Sequence, residues 1–373
     1  MRRRGFTLVE VMVAVGVFVI ITAGAFMFAQ QQIRTRKQTE YVLDTEQNAR
    51  VTIDAIRRDL QLAGLGAGYR ADGTFSGLDL GVFGGGQFNS SDFNHGATIS
   101  DDLRIRGAIG PARSIATYDA PAPGNFEVCG GAFPEWVAAQ PNELAVMVDE
   151  AYTVSRVIEI TGVNLGVGCT DSQCMNPAAG GLCDRINFIN RGDLFQTDGS
   201  ALNANYSGGT LFRGFFDALY FVQFGADGPD LFRVDLTRDL AGALLPVGAP
   251  SPCFGGRAVC AVNGNLMGEG VESLHFRLIE QRPPTFPPPL AVDNTVAFTA
   301  AGGVDNSNRI RVDVEVIARS RTQETEGVLG QVCSALAPAT CFPPVGTDRF
   351  RRRVLSGSVE LKNTGHMQFG VLN

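Results

Sequence analysis

The sequence predicts an α+β protein: a long N-terminal α-helix packed on an antiparallel β-sheet head with large disulfide-containing loops. Three observations predict this fold. A long apolar run near the N-terminus continues into a polar stretch with helical spacing, and both end together at a group of glycines. Segments that alternate apolar and polar residues fill much of the remaining chain, which is typical of half-buried strands. Eight cysteines lie only in that second part.

The first element is an apolar segment from Phe6 to Ala29, in which Glu10 is the only charged residue. As a helix it extends about 36 Å, enough to cross a bilayer. The basic residues Arg2–Arg4 precede it, and the positive-inside rule keeps such a cluster in the cytoplasm. A carboxylate at membrane depth costs about 3 kcal/mol, so Glu10 is expected to have a functional partner.

The helix is predicted to continue beyond the membrane to Ala63, over a total of about 85 Å. Gly64, Gly66 and Gly68 then supply a typical C-terminal stop signal. Apolar residues in the second half recur every three, four or seven positions and form one stripe that can pack on the head. The stripe contains Val42, Ala49, Ile53, Ile56, Leu60 and Ala63.

The head is predicted to be one antiparallel sheet with large insertions, and a subdivided sheet is the alternative. The clearest strand is "RIRVDVEVIARS", in which Ile310, Val312, Val314 and Val316 face one side and charged residues face the other. Long connections are expected around 162–210, 237–268 and 281–305. Further predicted strands are 143–149, 154–161, 218–225, 231–236, 273–280 and 354–363.

The eight cysteines favour disulfides over a metal site, because no two form a Cys-x-x-Cys pair. Part of the chain is therefore expected in an oxidising compartment. Spacing suggests the bridges Cys253–Cys260 and Cys333–Cys341. Eight cysteines allow about 105 connectivities, and the other pairings stay open. The remaining candidates are Cys129, Cys169, Cys174 and Cys183.

Composition and motifs argue against catalysis. The chain has only three histidines and lacks the G-x-S-x-G, H-E-x-x-H and phosphate-loop patterns, so neither an enzyme nor a cofactor is expected. Acidic loops at 225–230 and 305–308 suit turns better than calcium, so no metal site is predicted. The net charge of -7 disfavours nucleic acid as a partner. The basic cluster at 348–353 leaves DNA binding at the surface as an alternative.

The stretch "GFTLVE" resembles the N-terminal signal of type IV pilins and pseudopilins, with its glycine, phenylalanine and glutamate directly before an apolar helix. The resemblance implies that a membrane peptidase cleaves between Gly5 and Phe6 and methylates the new amine on Phe6. It also gives Glu10 a partner. The carboxylate of one subunit can meet the Phe6 amine of a neighbour, which makes Glu10 an assembly device.

Three further stretches resemble minor pilins of the PilW type: "NARVTIDAIRRDLQLAGLG" (48–66), "GVESLHFRL" (270–278) and "RRRVLSGSVELKN" (351–363). The resemblance implies a role in priming pilus assembly or at the pilus tip, with other minor and major pilins, a large tip adhesin, the assembly platform and the prepilin peptidase as partners. The first stretch is shared with the J-type pseudopilins of type II secretion, which remain an alternative. A tip module with an adhesive role is another.

These arguments divide the chain into a leader (1–5), a transmembrane and pilus-core helix (6–29), an amphipathic stalk helix (30–66) and a β-rich head (67–373). The expected location is the inner membrane, crossed once with the head in the periplasm, and then the pilus on the cell surface.

Overall fold

The structure is a computed structural model. The residues that it describes are 7–66, 78–84, 87–89, 100–119, 124–129, 143–150, 154–168, 182–196, 205–225, 228–239, 241–253, 257–281, 291–292, 309–320, 332–336, 341–342 and 350–361.

The first helix, α1 (Leu8–Leu62), has 55 residues and is about 82 Å long. Thr7 caps its N-terminus, and Ala63 caps its C-terminus. The chain then turns through Gly64 and Gly66 at φ angles of 79° and 69°, a left-handed conformation that side chains other than glycine disfavour. The helix therefore ends where the glycines predict.

Within the described residues, eighteen strands and one short second helix follow α1. In chain order they are β1 (Leu78–Gly84), β2 (Gln87–Asn89), β3 (Asp102–Ala108), β4 (Ala112–Asp119), β5 (Gly124–Cys129), β6 (Glu143–Val148), β7 (Ser155–Gly168), β8 (Leu182–Asn190), β9 (Thr210–Arg213), β10 (Phe215–Phe224), β11 (Pro229–Asp235), α2 (Arg257–Val262), β12 (Asn265–Glu269), β13 (Val271–Gln281), β14 (Ala291–Val292), β15 (Arg309–Arg319), β16 (Val332–Cys333), β17 (Cys341–Phe342) and β18 (Arg352–Leu361).

In the described part of the chain, these strands form two open sheets, a barrel and a hairpin. The larger sheet has the order β12-β11-β10-β3-β1-β2, and the smaller has the order β14-β13-β15-β18. The closed barrel runs β4-β5-β8-β7-β6-β9, and β16 pairs with β17. Every strand pairing that the structure describes is antiparallel.

The main core lies between the C-terminal half of α1 and the two open sheets. Helix residues such as Ile56 and Leu60 share one buried cluster with Leu103 of the larger sheet and Val314 of the smaller sheet. The helix approaches both sheets closely where glycine removes a side chain. A Cβ on Gly107 would collide with the backbone oxygen of Leu62.

The barrel (β4 to β9) is inserted between two neighbouring strands of the larger sheet. Ala108 of β3 pairs with Phe215 of β10, and the chain leaves and re-enters the sheet beside this pair. The Ile109 amide donates to the Gly214 oxygen at 3.3 Å, which holds the two connections together. The barrel has its own core of apolar side chains: Ile115, Phe126, Val128, Ala145, Met147, Ile158, Ile160, Ile186, Phe188, Tyr206 and Leu211.

The prediction of a single sheet with insertions was wrong in its details. Parts of the expected connection at 162–210 are the end of β7, the strand β8 and the first residue of β9, and these three strands belong to the barrel. The expected connection at 237–268 includes α2 and most of β12. The fold class is nevertheless as predicted, since a long N-terminal helix packs on antiparallel sheets.

Candidate functional site

Glu10 lies in the first turn of α1 and bonds to the residue that caps the helix. The backbone amide and the hydroxyl of Thr7 both donate to Oε2 of Glu10, at 2.9 and 3.0 Å. The Glu10 amide donates in return to the Thr7 hydroxyl at 3.3 Å. This reciprocal arrangement is a capping box, and it satisfies amides that the first helical turn leaves unpaired.

Thr7 is a partner that sequence reasoning missed. The signal was present, because Thr7 and Glu10 form a T-x-x-E pattern directly before an apolar run. The capping box gives the carboxylate two hydrogen bonds inside its own chain. Both bonds use Oε2, so they hold the carboxylate close to the backbone at the start of the helix.

The helix around Glu10 exposes its apolar side chains on every side. All residues from Thr7 to Glu40 are exposed, and the first half of α1 has a window with a mean hydropathy of 2.6. Among the described residues, α1 is the one helix long and apolar enough to cross a membrane. Large exposed apolar surfaces mark contact with lipid or with other protein, and this segment has the length and composition for both.

Gly5 and Phe6, the predicted cleavage and methylation residues, lie outside the described residues. Their positions follow from the sequence alone, immediately before Thr7. A new amine on Phe6 would precede the capping box by one residue. The start of α1 would then present a cation, a carboxylate and a long apolar surface, which are the groups that a helical assembly in a membrane can pair.

The cysteines that the structure describes are all disulfide-bonded. Cys253 is joined to Cys260 and Cys333 to Cys341, the two pairs that spacing suggests. Cys129 and Cys183 are also disulfide-bonded and lie opposite each other on β5 and β8. The predictions for Cys169 and Cys174 fall outside the described residues.

The disulfide between Cys253 and Cys260 stabilises the outer face of the larger sheet. Cys260 lies in α2, and both Cys253 and Cys260 are fully buried. The two cysteines share one apolar cluster with Leu219, Phe221 and Val234, and they cover these side chains. The bridge therefore fixes a short helix that would not be stable alone over a surface that needs covering.

A serine, a histidine and an aspartate also come together in the smaller sheet. The hydroxyl of Ser273 lies 2.5 Å from Nε2 of His275, and Nδ1 of His275 lies 3.5 Å from Asp101. All three side chains are at most 2% exposed. Asp101 also accepts the Phe276 amide at 3.2 Å, so it joins the segment before β3 to β13. Because a substrate cannot reach groups buried to this degree, we interpret the cluster as structural.

Two arginines of the basic cluster at 348–353 pair with carboxylates within the protein. Arg352 binds Glu272 through two hydrogen bonds of 2.6 and 3.0 Å, and both side chains are at most 4% exposed. Arg353 lies 3.7 Å from Glu46 of α1. These cations join β18 to β13 and to the helix, which weakens the alternative that they form a phosphate-binding surface.

A polar junction connects α1 to the larger sheet. The carboxylate of Asp59 accepts hydrogen bonds from the Tyr220 hydroxyl and from Nε of Arg233, each at 2.7 Å. Burial raises the pKa of Tyr220, and the negative charge of Asp59 raises it further. The junction fixes the rotation of the helix on the sheet, because Asp59 can reach both partners from only one face.

The residues that the structure describes contain no group of three acidic, histidine or cysteine side chains placed to hold a metal ion. Asp230, from one of the acidic loops, instead accepts the Gly270 amide at 3.1 Å. The loop at 305–308 lies outside the described residues.

Comparison with known proteins agrees with the N-terminal geometry. Residues 1–26 match the family described as the prokaryotic N-terminal methylation motif. No curated protein and no solved structure matches the chain. The motif points to a structural rather than a catalytic protein, to assembly with other pilins and to processing by the prepilin peptidase. With the membrane-compatible helix, the motif supports a type IV pilin-like precursor that is anchored in a membrane.

Proposed function

We propose that the protein is a minor pilin that primes assembly of a type IV pilus or lies at its tip, and that enters the pilus through α1 after cleavage between Gly5 and Phe6. The observation that carries the proposal is Glu10. It is a lone carboxylate within an exposed apolar helix that starts with the methylation motif. A charge in such a place is retained where it has a partner, and the Phe6 amine of a neighbouring subunit is a suitable one.

The position of the barrel supports the tip. The turn after α1 contacts the barrel, since Gly66 lies against Phe212 of β9 and Val146 of β6. The barrel therefore lies at the end of the helix opposite to the methylation motif. In a filament whose subunits align their helices with the N-termini toward the membrane, the subunit ahead would occupy the space that the barrel fills. The first subunit of a filament has no subunit ahead of it.

The disulfides support a head outside the cytoplasm. Cytosolic proteins rarely keep structural disulfides, and both Cys253–Cys260 and Cys333–Cys341 close loops of the head. We therefore place the head in the periplasm before assembly and on the cell surface afterwards.

Mass spectrometry of the protein from its native membrane tests the processing step. The expected N-terminus is Phe6 with a methylated amine. Replacement of Gly5 by a bulky residue is expected to leave the chain uncleaved. Recovery of an intact Met1 from wild-type cells, or cleavage after Ala29, would contradict the proposal.

Co-purification with other pilins tests the role of Glu10. Glu10→Ala removes both the capping box and the charge that a neighbour would bind, so we expect normal membrane levels but loss of pilin partners. Thr7→Val is the matched control. It removes the hydroxyl that bonds to Glu10 but keeps the carboxylate and the Thr7 amide.

Thr7→Val is expected to recover partners at close to the wild-type level. If it were as defective as Glu10→Ala, the carboxylate would act through helix capping and not between subunits. If both variants recovered partners normally, the assembly role of Glu10 would be wrong. Glu10→Gln, which keeps the shape but not the charge, is expected to resemble Glu10→Ala.

A J-type pseudopilin of a type II secretion system is the second candidate, because the stretch at 48–66 is common to both groups. The same purification separates them. Partners that are pilus subunits would support the minor pilin, whereas pseudopilins and a secretion defect on deletion would support the alternative.

A further inference from the structure

A basic segment of α1 lies between the apolar span and the head. It contains Arg34, Arg36 and Lys37, which we call the basic neck. Every residue from Gln31 to Glu40 is exposed. We propose that the basic neck binds the headgroups of anionic phospholipids in the leaflet from which the helix emerges. This inference rests on the proposed membrane span, and it adds a ligand that the pilin motif does not imply.

The depth of the basic neck matches the headgroup layer. Arg34 lies about 7.5 Å along the helix from Ala29, and Lys37 lies about 12 Å from it. The polar layer on each side of the hydrocarbon is about 5–8 Å thick. In a helix the Cα–Cβ bonds tilt toward the N-terminus, so these long side chains lean back toward the bilayer. Their charged ends therefore reach the level of lipid phosphates.

The head does not cover this part of the helix. The first partly buried residue of α1 is Tyr41, about 18 Å beyond Ala29. The gap is wider than the headgroup layer, so lipids can approach the basic neck from all sides. The whole chain has a net charge of -7, which would repel an anionic surface from the head. The basic neck is thus a positively charged part of the protein close to this side of the membrane, and it attracts an anionic lipid surface.

Glu40 does not cancel these charges. It lies 3.0 Å from Nε of Arg36, but the two side chains are 82% and 55% exposed. Exposed pairs of this kind bind weakly and exchange readily for other partners. A phosphate in a crowded anionic surface can compete for the same guanidinium group.

The test compares lipid selectivity of full-length variants in vesicles of phosphatidylcholine mixed with phosphatidylglycerol. Electron paramagnetic resonance of spin-labelled lipids measures which lipid the protein immobilises. One variant carries Arg34→Gln, Arg36→Gln and Lys37→Gln. The control carries Arg50→Gln, Arg57→Gln and Arg58→Gln, three exposed cations of the same helix. These begin about 31 Å beyond Ala29, which is about three Debye lengths at an ionic strength of about 0.1 M.

A cation close to an anionic membrane favours binding by a factor of about five. At an ionic strength of about 0.1 M, we expect the neck variant to reduce the preference for phosphatidylglycerol over phosphatidylcholine by about this factor or more, and we expect the control to match wild type. High salt should abolish the difference. Arg2–Arg4, at the other end of the span, are identical in all three proteins and do not affect the comparison.

Equal selectivity of the neck variant and wild type would overturn the proposal. An equal loss in the control would also overturn it, because the effect would then come from overall charge. Alkaline extraction of the vesicles separates this outcome from failure of the membrane span. If wild-type protein were released by alkali, the span itself would be wrong, whereas retained protein without lipid selectivity would refute only the basic neck.

Discussion

Replacement of Tyr220 by phenylalanine tests the junction between α1 and the larger sheet. The Tyr220 hydroxyl donates to the carboxylate of Asp59 at 2.7 Å, and the side chain is 1% exposed. A hydrogen bond to a charged group contributes about 1.5–3 kcal/mol to stability. Tyr220→Phe removes the donor but keeps the ring and the contact between Asp59 and Arg233. At pH 7 we therefore expect the variant to lose about 2 kcal/mol.

The difference between wild type and Tyr220→Phe should depend on pH in a defined direction. Burial and the charge of Asp59 raise the pKa of Tyr220 in the folded protein. Above pH 10 an unfolded tyrosine loses its proton while the folded one retains it, so the unfolded state binds fewer protons. The free energy of unfolding then falls as the pH rises. Between pH 9 and 11 this group should remove about 1.4 kcal/mol from wild type and nothing from the variant.

Urea unfolding of the full-length protein in non-ionic detergent, followed by circular dichroism, measures both effects. The other ionisable groups are common to the two proteins, so their titration cancels in the comparison. We expect the two stabilities to converge between pH 9 and 11. If they instead fell in parallel over this range, Tyr220 would titrate normally in the folded state and the account of the junction would be wrong.

Three further predictions concern packing and cross-links. Gly107→Ala should lower the free energy of unfolding in urea by about 1–3 kcal/mol, because the new Cβ meets the Leu62 backbone. Gly225→Ala, whose Cβ would lie 3.6 Å from its nearest neighbour, should cost much less. Equal effects would exclude a close approach of the helix to β3. Arg352→Gln leaves Glu272 buried without its main partner and should lower the free energy of unfolding by about 3–5 kcal/mol. Arg353→Gln, at an exposed pair, should lower it by less than about 1 kcal/mol. Similar losses in the two variants would show that burial of the Arg352–Glu272 pair is unimportant. Replacement of both Cys253 and Cys260 by serine should lower the free energy of unfolding by about 2–3 kcal/mol, and protein equally stable with and without the bridge would contradict its role in holding α2.

The helix and its limits could be predicted from the sequence because their signals are local. The apolar run, the helical stripe and the glycines at 64 and 66 each lie within a few turns of the structure that they determine. The stripe was nevertheless incomplete, because Thr45 and Thr52 are also buried. Thr52 can lie there since the facing residue is Gly268, whose missing side chain leaves room for it.

The barrel could not be predicted because its signals are distributed over the chain. Strand β8 alternates as a strand should, with Ile186 and Phe188 toward the barrel core. Its partners β5 and β7, however, are chosen by closure of the barrel and not by any turn sequence next to it. Strand β6, which was predicted at 143–149, buries both of its faces, one in the barrel core and one against the larger sheet, and the sequence did not show this second contact.

Buried charges were the other feature that sequence patterns concealed. Glu272 and Asp217 occur in stretches where acidic residues suggest a solvated face, but each is at most 3% exposed. Their cations come from distant parts of the chain, Arg352 in one case and Arg104 in the other. A sequence shows the charges but not which pairs meet, so the polar junctions of the head became visible only in the structure.

The insertion point of the barrel has a consequence for how such a head can diversify. The chain leaves β3 and re-enters β10 on adjacent strands, which lie about 5 Å apart. Any module whose two termini are neighbours could occupy the same position without a change in the register of the larger sheet. A replacement would have to supply an apolar patch for Leu65 and Phe215, which now pack against the barrel. The helix and the open sheets would then remain an unchanged scaffold, while the module at the far end evolves, or is engineered, independently.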